Sequence, residues 1–370
     1  MEGLDKKKTF KRRARNDDES DDHGGQMVPP DIEFPHPIFD INFHPVQPMI
    51  AAGLIDGSVR IYSYSVDGNK LLHQFDHHKK SCRAVTFSLD GQCIEADLIS
   101  QLALNTASKD KSICLVNIET GKVHLSFLKA HSSPIYTMRT IEEHLIASGD
   151  DDGFVKQVWD LRKKGKCIME VKENNDFIAD FDYVGNSKTL LAASGDGVLS
   201  VFHVGQRKLI EKSDNQESEL LCVSVIKGGH KVVCGTGDGI INIYSWDQWG
   251  DMSDRFPGHP MSVDTCTKIS ENVICTGSMD GMIRAVSIHP NRLLGVLGDH
   301  GDFPIEKLRV SNFNLLASCA HDAKIKFWDT ANFTNSTLSH ENSQEFTKKF
   351  SKKAKKNKNE SLRADFFSDL

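Results

Sequence analysis

Long apolar runs are missing from this 370-residue sequence: nowhere do 18 consecutive apolar residues occur, and the first residues contain no secretory apolar core. Without such runs a helical membrane span or a cleaved leader is not expected, and the chain reads as a soluble intracellular protein. The cysteines are also short of pattern. Nine are present, at 82, 93, 114, 167, 222, 234, 266, 275 and 319, yet no two form a C-x-x-C pair. Most fall at regularly spaced apolar positions, so they are expected to be reduced packing residues and not disulfides or zinc ligands. The N-x-S/T triplets at Asn332, Asn335 and Asn359 carry little weight in an intracellular chain. Catalytic signatures are equally sparse. There is no phosphate loop of P-loop spacing, no G-x-S-x-G elbow and no H-E-x-x-H, and Gly235-Thr236-Gly237 precedes a strand turn instead of a helix. A non-catalytic protein without cofactor or metal is the resulting expectation, although fold alone would not settle the matter.

What the chain does contain is a repeat. Asp56, Asp110, Asp152, Asp196, Asp238, Asp280 and Asp322 follow one another at intervals of 54, 42, 44, 42, 42 and 42 residues. Six positions before each stands an apolar residue (Ile50, Leu104, Ile146, Leu190, Val232, Ile274, Leu316), and three before it a small one (Gly53, Ala107, Gly149, Ala193, Gly235, Gly277, Cys319). Three positions after it come Val59, Ile113, Val155, Leu199, Ile241, Ile283 and Ile325. This spacing predicts a strand, a tight turn and a second strand with one buried face. Asp-Gly at 56–57, 152–153, 196–197, 238–239 and 280–281 supplies the positive-φ residue such a turn needs. A period of roughly 40–45 residues is that of a four-stranded propeller blade, which cannot bury both faces alone and must stack on its neighbours. The expected fold is therefore all-β, a seven-bladed propeller over residues 31–340, with tails at 1–30 and 341–370.

Six positions after the aspartate lies a bulky residue in Tyr62, Phe202, Tyr244 and Trp328, with Val116 and Val286 as smaller substitutes, and Trp328-Asp329 is a complete tryptophan–aspartate ending. With these residues the chain resembles the WD-repeat family. The resemblance implies that each hairpin aspartate is hydrogen-bonded to a histidine on the preceding loop. His36, His78, His131, His259 and His300 are the candidates, in a structural role. The fourth blade offers Asn175 or Asp176 there, and the fifth only Glu217 and Ser218, so those two blades are expected to be less rigid.

Departures from the pattern carry their own expectations. The third repeat, Asp152 to Asp160, is one residue longer than its siblings, so Gln157 should form a bulge or shift the strand pairing. In the second, about ten surplus residues near 94–103 form either a surface loop or a faulty gene model. Trp246-Asp247 lies two positions out of register and is not a repeat ending. After Asp329 the chain continues with Asn332, Thr334, Asn335, Ser336 and Thr337, a poor strand. The missing outer strand of the last blade is expected from residues 31–34, joining both ends of the ring in one sheet.

Charge is segregated. The net charge is −6, but residues 1–16 carry +5, residues 17–22 −5 and residues 346–370 +5, which leaves −11 on residues 23–345. An acidic disc is a poor nucleic-acid platform; the basic tails could add weak, salt-sensitive contact with RNA. Few apolar residues and no period predict disordered tails. Lys6, Lys7, Lys8, Lys11, Arg12, Arg13 and Arg15 form one basic cluster, and Lys348, Lys349, Lys352, Lys353, Lys355, Lys356 and Lys358 a second. Both suit nuclear import and the second suits nucleolar retention, while plain solvated tails carry similar clusters. Asp365, Phe366 and Phe367 close the chain as a short peptide ligand or a neutral end.

More narrowly, Cys82 to Ser88, Ala192 to Gly197, Asp280 to Val286 with Pro290-Asn291-Arg292, and the Asp365-Phe366-Phe367 ending resemble the WD repeat-containing protein 55 family. That resemblance implies a non-catalytic nucleolar scaffold in ribosomal RNA synthesis or processing, with ribosome-biogenesis factors as protein partners; a monomeric propeller is expected because the sequence carries no sign of self-association. A second reading rests on Trp159, Asp160 and Arg162, which resemble the W-D-x-R ending by which propellers dock onto a cullin-RING ligase adaptor. Ordinary repeat chemistry with Arg162 in a solvated loop explains the same residues.

Overall fold

The small-residue column explains how the repeats become a disc. In the computed structural model, which describes residues 28–88, 103–142, 145–160, 166–312 and 314–334, each column residue lies on the second strand of a blade, against the first strand of the next. A side-chain carbon added at Gly149 would stand 2.6 Å from Ile178, one at Gly235 2.7 Å from Val263, and one at Gly277 2.5 Å from Ile305. Blades can stack this closely only because the column is small. The second strands are consequently covered on both faces: Met49–Leu54, Thr189–Ser194 and Val273–Ser278 are buried at every residue.

Seven antiparallel four-stranded sheets result, six of them in simple sequential order. Blade one runs Ile38–Phe43, Met49–Leu54, Val59–Ser63 and Lys70–Phe75. The first strands pack neighbour to neighbour around a central channel, the last against the first. Among the described residues no helix is long and apolar enough to cross a membrane.

Blade seven is shared between the chain ends. Ile32–Glu33 pairs antiparallel with Lys324–Asp329, placing Ile32 opposite Ile325 and Glu33 opposite Lys324, and Phe34 N–H continues the ladder to the Ala323 carbonyl at 2.9 Å. Ile32 and Phe34 are buried in one apolar cluster with Ile38 of blade one and Ile325 and Phe327 of blade seven. The expected closing strand forms, over 32–33 instead of 31–34.

The third blade is bulged, but at Val158 and not at Gln157. Its second and third strands pair Ala147 with Gln157 and Ile146 with Trp159, skipping Val158. Gln157 keeps a partner because the bulge falls one residue later. Trp159 thereby returns to the position that Tyr62 holds opposite Ile50 and Trp328 opposite Leu316. In the second blade Phe87 pairs with Leu104 as in its siblings. Ala103 begins the second strand there, and the remainder of the 94–103 insertion lies outside the described residues. Trp246 follows the end of Ile240–Ser245, out of register as expected.

The hairpin aspartates occupy one column but differ in partner. Asp322 is the most complete. His300 Nδ1 bonds its carboxylate at 2.7 Å, His300 Nε2 meets Ser318 Oγ at 2.7 Å, and Trp328 Nε1–H donates to the same hydroxyl at 2.8 Å. In blade two, His78 bridges Ser112 and Thr106, both at 2.9 Å, with Asp110 at 3.6 Å. In blade one, His36 stands 3.7 Å from Asp56 and half exposed.

Three expected pairings are replaced. His131 goes to Asp150 at 2.9 Å and not to Asp152, which takes Ser133 Oγ–H. The cause is local: the position two before the repeat aspartate is Asp150 here but Leu54, Ser108, Ser194, Thr236, Ser278 or Ala320 elsewhere, and a buried carboxylate wins the imidazole. Asp280 is held by Arg284 at 3.0 and 2.5 Å, so His259 bonds only Thr276 at 2.8 Å. In blade four neither Asn175 nor Asp176 offers the side chain; buried Asn174 does, at 3.4 Å from Asp196, and Asn175 adds its backbone N–H at 2.7 Å. In blade five Asp238 is exposed and gives its N–H to Ser218 Oγ at 3.1 Å.

Two predictions follow from these contacts. Removal of residues 28–34 strips the buried Ile32 and Phe34 from the ring and is expected to cost about 4 kcal/mol or more in urea unfolding; an unchanged midpoint would mean that the two ends do not share the closure. His300→Ala should cost about 2–4 kcal/mol and His36→Ala less than about 0.5 kcal/mol in the same assay, because only the first leaves buried partners unsatisfied.

Candidate functional site

Strand direction sorts the loops onto two faces. Each first strand starts from the loop carrying the histidine position and runs through the disc; the second returns, so the aspartate turn lies on the same face as that loop. The seven aspartates therefore ring one face, where Asp56, Asp110, Asp196, Asp280 and Asp322 hold their turns closed by accepting the N–H two residues on.

Apolar side chains break the polar surface of this face. Met261, Met279 and Phe303 are 45, 49 and 48% exposed, with Ile55 and Tyr136 at 46 and 37%. The three from blades six and seven sit on adjoining loops: Met279 N–H donates to the carbonyl of Ser262, next to Met261, at 3.1 Å, and a side chain at Gly281 would strike the carbonyl of Phe303. Sequence reading passed over them, yet a signal existed. The position immediately before the repeat aspartate is Lys109, Asp151, Gly195, Gly237 and His321 in five blades, but Ile55 and Met279 in two.

Carboxylates gather beside this patch, at the channel mouth. Burial pushes Asp264 up to about 6, with Glu306 and Asp280 reinforcing the rise, and burial also raises Glu306 against the pull of its partner His321. Across the mouth, Tyr136 is pushed up to about 12, chiefly by burial and then by the charge of Glu306. Arg83 on this side is already engaged: it bonds Asp151 at 2.8 Å and lies over the Tyr136 ring at 5.2 Å, while Tyr136 packs on Phe177 at 4.9 Å. Exposed apolar groups beside partly buried acids give this face a chemistry complementary to basic and apolar side chains.

The other end of the channel differs. A cavity of about 760 Å³ opens there, lined by Phe43, Arg139, Asp182, Lys268 and Arg309 among others. Its charges are spent on one another. Arg139 pairs with Asp182 at 2.8 Å, Lys268 with Glu271 at 2.9 Å and Arg309 with Asp40 at 3.4 Å. Deeper in, Lys307 of blade seven reaches Asp180 of blade four at 3.5 Å, tying opposite sides of the ring. This cavity is thus internally balanced, whereas burial raises Asp264 and Glu306 on the hairpin face.

Other residues singled out from the sequence fall elsewhere. Trp159 and Asp160 end the third strand of blade three, Phe154–Asp160, and Arg162 lies outside the described residues. Outside them too lie the basic clusters at 6–15 and 348–358 and the Asp365-Phe366-Phe367 ending. Among the described residues no two cysteines form a disulfide, and all but the half-buried Cys167 are buried.

Comparison with known proteins matches the same interval. The WDR55 family model covers residues 29–333, the propeller from its closing strand to the end of blade seven. The chain is 40% identical over 307 residues to WD repeat-containing protein 55 of Bos taurus and to that of Homo sapiens, in each case across 82% of this chain and 77% of the relative. It is 37% identical over 364 residues to the WD repeat-containing protein 55 homolog of Drosophila melanogaster, across 96% of this chain and 70% of that protein.

The acidic mouth predicts a pH-dependent gain in stability. Asp264 titrates higher in the fold than in the unfolded chain, so its ionisation opposes folding, with the full cost present above about pH 6. Asp264→Asn is expected to stabilise the protein by on the order of 1–2 kcal/mol at pH 7.5, after allowance for screening. The gain should vanish below about pH 4; chemical unfolding of both proteins across that range measures it.

Proposed function

The chain belongs to the WDR55 family of WD-repeat propellers, and from that premise we propose that it is a non-catalytic nucleolar scaffold acting in ribosomal RNA synthesis or processing. WD-repeat propellers are protein-interaction folds. The observation that carries a binding role for this one is the exposed Met261, Met279 and Phe303 patch beside Asp264 and Glu306. Its chemistry suits a partner segment that brings apolar and basic side chains together, as proteins that accompany RNA often do. The acidic disc would hold such a protein while the Lys348 to Lys358 cluster supplies the nuclear and nucleolar address and weak, salt-dependent RNA contact. Family resemblance and tail composition support this assignment. The adaptor-docking reading gains no contact, because Arg162 lies outside the described residues.

A direct test is a mass-spectrometric inventory of proteins co-purifying with the tagged full-length chain from nuclease-treated nuclear extract, run beside Met279→Ala/Phe303→Ala and Arg162→Ala variants. Ribosomal RNA transcription or processing factors should appear with the wild type and Arg162→Ala, and fall about tenfold with the double variant, the loss expected when two apolar anchors are truncated. A wild-type inventory without such factors would refute the proposal. A cullin-ligase adaptor lost only with Arg162→Ala would put the adaptor reading in its place.

A further inference from the structure

Three soft-metal donors meet in blade two: two adjacent histidines and a cysteine 36 residues further along the chain. His77 and His78 lie on the loop between Lys70–Phe75 and Cys82–Phe87, and Cys114 is the second residue of the strand Ile113–Asn117. One donor atom from each lies within 4.8 Å of the other two, and the imidazole rings are 4.2 Å apart. We propose that His77, His78 and Cys114 form a binding site for a zinc ion. Two imidazoles and a thiolate are the donors that Zn²⁺ prefers, whereas magnesium and calcium take oxygen.

Proton bookkeeping shows that both imidazoles can present a lone pair. Ser112 Oγ–H donates to Asp110, so Ser112 Oγ accepts from Nδ1–H of His78 at 2.9 Å. That tautomer leaves His78 Nε2 as the unprotonated nitrogen, with Asp110 behind the ring, the usual backing of a metal-bound histidine. Nε2 of both histidines lies 2.9 Å from Thr106 Oγ1. With His77 Nε2–H donating to that oxygen, an ion can reach His78 Nε2 only once the Thr106 hydroxyl, 2.9 Å from it, turns away toward the Cys114 carbonyl, 3.3 Å off. His77 Nδ1 then carries the second lone pair. That atom is buried without a hydrogen-bond partner, an unmet acceptor that a cation would satisfy. Ser126 Oγ, 3.3 Å from Cys114 Sγ, stands ready to donate to a thiolate.

Sibling blades lack the combination. Blade six has His259 on Thr276, but the residue before it is Gly258 and the position of Cys114 is Arg284; blade three has Ala130 and Lys156 at these places. His77 is only half-buried, so an ion can enter from solvent and keep a water as fourth ligand. The site goes beyond the scaffold role and is independent of it.

Titration of the chelator-treated full-length chain with Co²⁺, a spectroscopic substitute for Zn²⁺, tests the assignment. One equivalent should produce tetrahedral ligand-field bands and a thiolate-to-cobalt charge-transfer band, both removed by Zn²⁺. Cys114→Ser should abolish the charge-transfer band and His77→Ala should weaken binding at least tenfold, each with an unchanged metal-free circular dichroism spectrum. Absence of the bands at one equivalent, or their persistence in Cys114→Ser, would overturn it. The wild-type titration decides even if one variant fails to fold.

Discussion

Contact between the small-residue column of one blade and the first strand of the next is the constraint on which the rest of this structure depends. A sheet with Gly149 or Gly277 on its second strand has a gap that only a neighbour's Ile178 or Ile305 fills. No blade is finished until the next is in place, and the seventh requires the chain's beginning to complete it. Ile32 and Phe34 pack into the cluster that joins blades seven and one, so the local requirement for close stacking becomes a requirement that both ends meet. The channel, its two mouths and the ring of hairpin turns are consequences of that closure.

Within a frame so regular, variation marks what is particular to this protein. The same turn aspartate is held by a histidine in blade seven, by an arginine in blade six and by an asparagine in blade four. Each solution satisfies a buried or half-buried carboxylate with whatever donor the preceding loop or following strand supplies, and each leaves a different residue free. In blade six Arg284 takes Asp280, and His259 keeps only Thr276. In blade two the additional histidine, His77, bonds Thr106 at 2.9 Å and lies close to Cys114. Chemistry left over from the structural network is where binding can be built.

Asp264 and Glu306 show the cost of such a surface. Both are held partly out of water, and burial raises both carboxyls, Asp264 with the added repulsion of Glu306 and Asp280. The opposite end of the channel shows that balance is attainable in the same ring, since Arg139, Lys268 and Arg309 each have an acid in reach. Keeping partly buried carboxylates next to exposed Met279 and Phe303 gives a partner's cation something to gain on binding.

How much was legible before the coordinates depended on the range of the interaction. Strand positions, the turn glycines, the small column, the closing strand and the bulge in blade three are written in local spacing repeated seven times, and repetition makes a weak local signal strong. The bulge was misplaced by one residue because the residue to be skipped is chosen by pairing with the second strand. Asp150 took His131 from Asp152 for a similar reason: burial ranks two nearby carboxylates, and burial is a property of the packed blade. The sequence by itself therefore determined the seven-bladed ring, because period and side-chain size are one-dimensional quantities. Only the tertiary structure decided that Met261, Met279 and Phe303 share a patch with Asp264 and Glu306, and that His77 and His78 meet Cys114. Those neighbours are set by blade register and ring closure, which bring together residues whose separation along the chain holds no record of their distance in space.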